Sequence, residues 1–375
     1  MRPDSINEEE IAWLRFLGCT RVQLGVQHID DRILKIVNRK CKTKDVIKAL
    51  ELLLNANFKV DAHWMPDLPG STPEIDRQMF HKIIDSENLQ FDQWKIYPTT
   101  ITPWTKIKEW FDEGRYTPYT EKEPELLMNV LEEIKPRIHP WIRINRLVRD
   151  IPNTAKDGTV YICGGNKVTN LRQLINNRLE KKGKFCRCIR CCEPKNNTHN
   201  LKFSKLVTRE YNSSGGIEVF ISIESGPDKE SKFSKGNWYN KNGNLVKPTI
   251  YGFCRLRKPN NYTFSYLKNS YFVRELHVYG QVTLDNTSEN IQHKGLGQKL
   301  MNKVLEIAII DGVYSITVIA GIGVKQYYLK KLGYKHFHTY MRKIVSINEI
   351  LYYKILYYKT IIFILFSILI RFIIY

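Results

Sequence analysis

The sequence predicts an α/β chain of two units joined by a cysteine-rich segment, and three observations carry that prediction. Residues 1–152 alternate strand and helix signals, as parallel sheets and barrels do. Residues 153–200 break the alternation and contain "CRCIRCC". Residues 201–344 begin in β-rich stretches and then follow a β-α-β-α order. Residues 345–375 differ again and form an apolar tail.

In the first unit, "TRVQLGV" is rich in β-branched and apolar residues and reads as a strand. "TKDVIKALELLLNANF" puts Val46, Ile47, Leu50, Leu53 and Leu54 on one helical face, with Thr43 as the expected N-cap. "FKVDAHWM" is a strand and "PDLPGSTP" a loop. Thr72 followed by Pro73 starts the next helix. "FDQWKIYPT" and "WIRINRLV" are strands that flank the helices "WTKIKEWF" and "PELLMNVLEEI". Ligands in such folds sit at the C-terminal ends of the strands. Those ends here are residues 25–27, 65–70, 95–98 and 148–152.

The segment 153–200 holds Gly164, Gly165 and a helix in "NLRQLINNRLEKKG". Beyond it, "GIEVFISIES" and "TIYGFCRLR" read as antiparallel strands joined by a polar loop, and "YFVRELHVYG" as the next strand. The helix in "HKGLGQKLMNKVLEIAI" is expected to start near Gly295–Gly297 and to bury Leu296, Leu300, Met301, Val304, Leu305 and Ala308. The strand "SITVIAG" and the helix "VKQYYLKKLGY" follow, with Gly333 where a helix end favours glycine.

Apolar residues make up 43 % of the chain, which excludes global disorder. Lys and Arg outnumber Asp and Glu by 58 to 38, a net charge of +20 that favours an anionic partner. No secretory signal is read before the eight cysteines, so a reducing, cytoplasmic setting is expected and a disulfide framework is not.

Two glycines one residue apart before an apolar helical stripe leave the first amides of the helix bare. Those amides are unpaired donors with partial positive charge, so a pyrophosphate can approach them closely. In order of elements and in the Q-x-x-G-x-G turn of Gln292, Gly295 and Gly297, the second unit resembles the GNAT acetyltransferase fold. The resemblance implies acetyl-CoA held by residues Gln292, Lys294, Gly295, Leu296, Gly297 and Gln298, with Tyr327 and Tyr328 facing the thioester.

Further motifs occur in order: "RPD", "GCTRVQLGVQ", "AHWMPDLPG", "KIYPT", "RINRLVRDIP", "CRCIRC", "RELHVYG" and "YYLKKLGY". Together they resemble the catalytic subunit of Elongator, a radical SAM and acetyltransferase enzyme that modifies tRNA. The resemblance spans roughly residues 2–341. It implies the remainder of a radical SAM partial TIM-type barrel over 1–152, a zinc-binding linker over 153–200 and a C-terminal GNAT domain over 201–344. It implies carboxymethylation at C5 of the tRNA wobble uridine, fed by acetyl-CoA and S-adenosylmethionine. Gln27 and Arg39 would help hold S-adenosylmethionine, and Lys95 and Tyr97 would lie near the reacting centre. Glu275 and His277, on one face of their strand, would serve acid–base steps. Partners would be tRNA, other Elongator-like subunits or a second copy of the chain. In the family, the C-x4-C-x2-C that holds a 4Fe–4S cluster precedes the "RPD" motif, whereas here Met1 stands directly before that motif. The expectation is a truncated form, a barrel completed by a partner, or a chain without the radical step, and no iron bound by the polypeptide alone.

Cys186, Cys188 and Cys191 have the spacing to place three thiolates on one tetrahedral ion, for which zinc is the expected metal. The alternative is a set of free buried thiols. His199 and Cys254 are candidates for the fourth ligand. Lys181, Lys182, Lys184, Arg187 and Arg190 around this loop are the expected phosphate-contacting surface. The tail "YYKTIIFILFSILIRFIIY" is slightly short for a membrane span, and a tail anchor and a segment without a role in the fold both remain open. Two other functions stand beside the leading one: a non-catalytic tRNA-binding scaffold, and a GNAT enzyme that acetylates an amine.

Overall fold

The structure is a computed structural model that describes residues 1–149, 154, 157–195, 199–280, 295–346, 348 and 351. The first unit runs α1 (Glu8–Phe16), β1 (Arg21–Gln27), α2 (Asp31–Ile36), α3 (Thr43–Asn55), β2 (Lys59–Trp64), α4 (Pro73–Asp85), β3 (Gln93–Ile96), β4 (Thr100–Ile101), α5 (Lys106–Asp112), α6 (Tyr119–Lys122), α7 (Pro124–Ile134) and β5 (Arg143–Arg146). Strands β1, β2, β3 and β5 form one parallel sheet in that order. Side chains alternate across a strand. One face therefore carries Val22, Leu24, Val60, Ala62, Trp64, Trp94, Ile96 and Ile144, all buried in a core shared with α3, α4 and α7. The same alternation sends Gln23, Asp61, His63, Lys95 and Asn145 to the other face.

Helix starts follow local chemistry. Thr72 caps α4 by accepting from the Ile75 amide at 3.3 Å, ahead of Pro73 at the first helical position. Thr43 is not the cap expected for α3. It is the first helical residue, and its hydroxyl donates to the Ile29 carbonyl at 2.8 Å. Lys42 occupies the cap, and its amide donates to the Asp45 carboxylate at 2.8 Å. The short hydroxyl of Thr43 finds a carbonyl across the loop, a tertiary contact that no sequence window holds.

The middle segment contains β6 (Gly164–Gly165), which pairs with β4, then α8 (Leu171–Lys181) and α9 (Ile189–Cys192). Gly165 has φ +84°, and a Cβ there would lie 2.4 Å from the Thr99 carbonyl, so only glycine allows this approach. Leu171, Ile175, Leu179, Cys186 and Cys188 belong to the core of the first unit.

The second unit runs β7 (Lys205–Asn212), β8 (Gly216–Ser225), β9 (Lys232–Ser234), β10 (Asn237–Tyr239), β11 (Leu245–Val246), β12 (Thr249–Pro259), β13 (Ser270–Val278), α10 (Leu296–Ile310), β14 (Ser315–Val318), α11 (Lys325–Leu332), β15 (Lys335–Phe337) and β16 (Tyr340–Ile344). Its seven-stranded sheet has the order β15-β16-β14-β13-β12-β8-β7. The polar loop expected between β8 and β12 instead folds into a small sheet of β9, β10 and β11. Trp238 anchors it by donating to the buried Glu224 carboxylate at 2.9 Å. Helix α10 buries Leu296, Leu300, Met301, Val304 and Ala308 against the large sheet. Gly333 ends α11 in the left-handed conformation, φ +71°.

The units meet through buried ions. Arg274 of β13 donates two hydrogen bonds to Asp92, at 2.6 and 2.7 Å, and two to Glu218, at 2.9 and 2.7 Å. Arg257 donates to Asn55 of α3 at 2.7 and 3.0 Å. Burial pushes the Asp92 carboxyl up, but Arg274 and Arg255 outweigh it and hold its pKa at about 2. Among the described residues no helix is long and apolar enough to cross a membrane. The tail from residue 352 onward lies outside the described residues.

Candidate active-site clefts

The polar face of the parallel sheet brings side chains from three strands together. Gln23 of β1 accepts from Lys95 of β3 at 2.7 Å and lies 3.1 Å from the ring nitrogen of His63 on β2. Arg21 pairs with the buried Asp61 at 2.6 Å. Tyr97 lies beyond the end of β3, with the His63 ring 5.3 Å away and the Arg149 guanidinium 5.4 Å from its centroid. Burial, then the Lys95 charge, pushes the His63 pKa down to about 4, so the ring is neutral at pH 7. Burial lowers the Lys95 pKa as well, while Asp61 raises it. Burial lifts the Asp61 pKa to about 6 against the pull of Arg21 and Lys59. A carboxylate with a raised pKa, a neutral imidazole and an ammonium with a lowered pKa thus share one face, the clustering of shifted groups that marks a candidate site.

Gln27 ends β1 with φ +70°, and its carbonyl accepts from Met65 at 2.8 Å. Arg39 reaches across β1 and donates to the Gly25 carbonyl. The guanidinium lies so close that a Cβ at residue 25 would come within 2.8 Å of it. Gln27 and Arg39 thus flank the same end of β1, while Lys95 and Tyr97 stand two strands away.

A second cleft opens at the other unit. Strand β14 pairs with β13 only along residues 270–273, so among the described residues β13 stands open on that side from 274 to 278. The opening measures about 760 Å³ and is lined by Leu276, Val278, Gly295, Gly297, Gln298 and Tyr327, among others. Gly295 caps α10 with φ +69°, a backbone that L side chains rarely adopt. Gly297 lies in the first turn, where a Cβ would come within 2.7 Å of the Tyr327 hydroxyl. The first turn of a helix, whose amides are unpaired donors, therefore lines this groove together with the Tyr327 phenol. Tyr327 is partly exposed, whereas Tyr328 is buried and its pKa is raised by burial. Leu296 packs into the core. Gln292 and Lys294 lie outside the described residues.

Glu275 stands away from that groove. The pairing of β13 with β12 shifts register between Arg255 and Leu256, so β13 carries an extra residue at 274–275. The bulge turns Glu275 to the same side as Arg274, where it pairs with Lys59 of β2 and with Arg255 at 2.9 Å. Burial works against the carboxylate, yet Lys59 and Arg255 hold its pKa below the usual range. His277 packs on Tyr279, centroids 4.5 Å apart, and its pKa is lowered by burial.

The sulfurs of Cys186, Cys188 and Cys191 all lie within 4.8 Å of one another. Such a cluster encloses the volume of a single ion. Cys192 turns away, its sulfur 3.5 Å from the Arg187 carbonyl. Cys254 sits in the core of the second unit, and among the described residues the convergent group contains neither it nor His199. In the basic run, Lys181 and Lys184 are exposed. Lys182 pairs with Glu132, Arg187 donates to Asn237 at 2.5 Å, and Arg190 pairs with Glu193 at 2.9 Å.

Gln23, Asp61, His63 and Arg149 were not among the expected site residues. The first three had a signal: "TRVQLGV" and "FKVDAHWM" place a polar residue at every second position, which gives one polar face.

Residues 1–82 match the Radical SAM superfamily and residues 91–181 the Radical SAM C-terminal domain. A tRNA uridine(34) acetyltransferase of Dehalococcoides mccartyi is 35 % identical over 353 residues, covering 91 % of this chain and 70 % of the relative. The chain belongs to the Elongator Elp3 and tRNA uridine(34) acetyltransferase family. The tRNA uridine(34) acetyltransferase of Methanocaldococcus jannaschii is 37 % identical, and human Elongator complex protein 3 is 32 % identical. This chain spans 60 % and 59 % of their lengths. A solved N-terminally deleted Elp3 of Methanocaldococcus infernus superposes with a TM-score of 0.76 at 36 % identity, covering 92 % of this chain and 76 % of that one. The first unit is thus an α/β fold of radical SAM type.

Proposed function

We propose that this chain carries the acetyl-donor and RNA-binding parts of a tRNA uridine(34) acetyltransferase. The observation that carries the reading is the open groove beside β13, where the glycine turn presents bare helix amides. In this reading residues 201–344 are a GNAT domain. The pyrophosphate of acetyl-CoA rests on the amides after Gly295 and Gly297, with Leu296 and Gln298 in the same first turn of α10, and Gln292 and Lys294 are the further ligands expected from the sequence. The acetyl arm runs along the open edge of β13, as the lining of the groove supports. Tyr327, at the rim, gives a proton to the thiolate that leaves, and Tyr328 holds Tyr327 in place through their edge-on ring contact at 5.6 Å. Glu275 acts at a distance: its pair with Lys59 fixes the bulge from which Leu276 and Val278 enter the groove. His277, which lines the groove, is the candidate for acid–base work there.

The polar face of the first unit is the place for S-adenosylmethionine and the uridine. S-adenosylmethionine bound there would supply a 5′-deoxyadenosyl radical, with methionine as leaving group, only on receiving an electron from a reduced iron–sulfur cluster. Gln27 and Arg39 hold S-adenosylmethionine at the end of β1, and Lys95 and Tyr97 position what reacts, with His63 and Gln23 orienting Lys95. A 4Fe–4S cluster does not fit the one three-cysteine group among the described residues, because its sulfurs converge on a single ion's volume. Cys186, Cys188 and Cys191 in this reading hold zinc and pin the linker, residues 153–200. The radical step is not assigned to these residues. Kinship with Elongator complex protein 3 makes further subunits, and tRNA above all, the partners to test.

The test is acetyl-CoA hydrolysis by the full chain with and without tRNA. Stimulation of turnover by tRNA is the expected result. Binding of tRNA without any turnover replaces the reading with a scaffold. Acetyl transfer to an amine without tRNA replaces it with an ordinary N-acetyltransferase.

A further inference from the structure

A third cleft, of about 700 Å³, lies between β5, α8 and the cysteine loop. That volume falls within the range of about 300–1,000 Å³ typical of small-ligand sites. Arg146, Arg172, Arg190, Lys195 and Lys247 line it against two carboxylates, Glu180 and Glu193. Glu193 is already engaged by Arg143, by Arg190 at 2.9 Å and by the Tyr279 hydroxyl at 3.1 Å. The field inside is therefore positive.

A second feature separates this cleft from a simple anion sink. Helix α8 turns Gln173 and Asn177 toward it, four residues apart on one face, with Asn170 at the helix start. Asparagine is a poor helix former, so Asn177 costs helix stability that Lys or Glu would not. An amide offers a donor and an acceptor side by side, the pattern that reads the edge of an unpaired base. A third feature is continuity with the polar face of the sheet. Asn145, on the cleft wall, donates to Gln93 of β3, and Arg146 is the cross-strand neighbour of Lys95.

We propose that this cleft holds one unpaired nucleotide of the RNA substrate, beside the nucleotide that reaches Lys95. Its phosphate lies between Arg190 and Lys247, and its base edge meets the amides of Gln173 and Asn177. The proposal rests on the RNA-modifying function above and adds a site to it. Of the basic run expected from the sequence, only Arg190 belongs to this cleft, and Lys181 and Lys184 lie outside it.

The experiment measures anisotropy of a labelled single-stranded oligonucleotide, and of the same strand annealed to its complement, with the full chain across a salt series. Lys247→Glu should weaken single-strand binding at least about tenfold and reduce the slope of log K against log salt by about 0.7 for the lost phosphate contact. Gln173→Leu combined with Asn177→Leu should weaken it about tenfold while the slope stays unchanged, because base-edge contacts release no counterions. Calorimetric acetyl-CoA affinity should match wild type in both variants, which reports that they fold. Unchanged single-strand affinity in both variants removes the cleft proposal and leaves the proposed function standing. Duplex bound as tightly as single strand also overturns it. A wild-type chain that binds no RNA, tRNA included, overturns both.

Discussion

The polar face of the first unit and the groove of the second solve the same problem in opposite ways. On the polar face, side chains from separate strands hold one another: Gln23 bridges His63 and Lys95. In the groove, in the function proposed above, the backbone does the binding, and the side chains that matter are the two that are missing, at Gly295 and Gly297. The first kind of site is tuned through charge and burial, which is why its titratable groups are shifted. The second is tuned through empty space and fixed dipoles. A side-chain site should tolerate backbone-neutral changes with graded losses. A backbone site should fail at once when a Cβ or a charge enters.

The largest effect should come from the groove. Gly297→Glu puts a carboxylate and its Cβ against the Tyr327 hydroxyl and the helix amides. Calorimetry should show acetyl-CoA affinity reduced by at least about a hundredfold, the order of a like-charge contact at close range. Affinity that survives this change makes the turn a packing feature and dissolves the contrast.

An effect of comparable size concerns the link between the two units. Arg274→Met leaves Asp92 and Glu218 buried without their shared partner, a loss on the order of 3–5 kcal/mol. Urea unfolding should show one transition at lower midpoint. Two separate transitions in the wild type, with Arg274→Met moving neither, would show the ion network to be idle.

The cysteine loop comes next. Purified chain should hold one zinc, and Cys186→Ala should abolish it and lower stability by at least about 2 kcal/mol. Metal-free protein with unchanged melting temperature after chelation would favour free thiols.

The smallest effect sharpens the account of the polar face. The Asp61 pKa is raised from 3.8 to about 6 on folding. The native state therefore binds the proton more tightly than the unfolded chain, and this group makes stability fall as pH rises from about 4 to about 6. Asp61→Asn should flatten that part of the stability profile. A profile unchanged between pH 4 and 6 would mean that Arg21 neutralises the carboxylate fully.

Much of this was legible in the sequence because the signals were local. Val46, Leu50 and Leu53 fix α3, Thr72–Pro73 fix the start of α4, and Gly333 fixes the end of α11 through short-range sterics and capping alone. The glycine pair before Leu300 was legible for the same reason. The extra residue at 274–275 was not, because a bulge is set by pairing with β12 some twenty residues away. Beyond it the register is regular, so Glu275 and His277 share one face of the strand, as simple alternation expects. What alternation does not show is that this face meets Lys59 of the other unit. The small sheet at 232–246 was hidden for a related reason: its hydrogen-bonding partners are three residues long at most, too short for any period to show. Polar alternation in β1 and β2 was in view, but a polar strand face gains meaning only when three such strands lie side by side.

The bidentate contact between Asp92 and Arg274 also constrains how such a chain can change over generations. Position 92 belongs to one unit and position 274 to the other, 182 residues apart, and each buried charge is held chiefly by this pair, with Arg255 and Glu218 as the secondary partners. A neutral residue at either place is a burden until the second follows. Natural variants should therefore alter the two positions together or not at all, and grafting one unit onto a foreign neighbour should work only when this handshake is carried across with it.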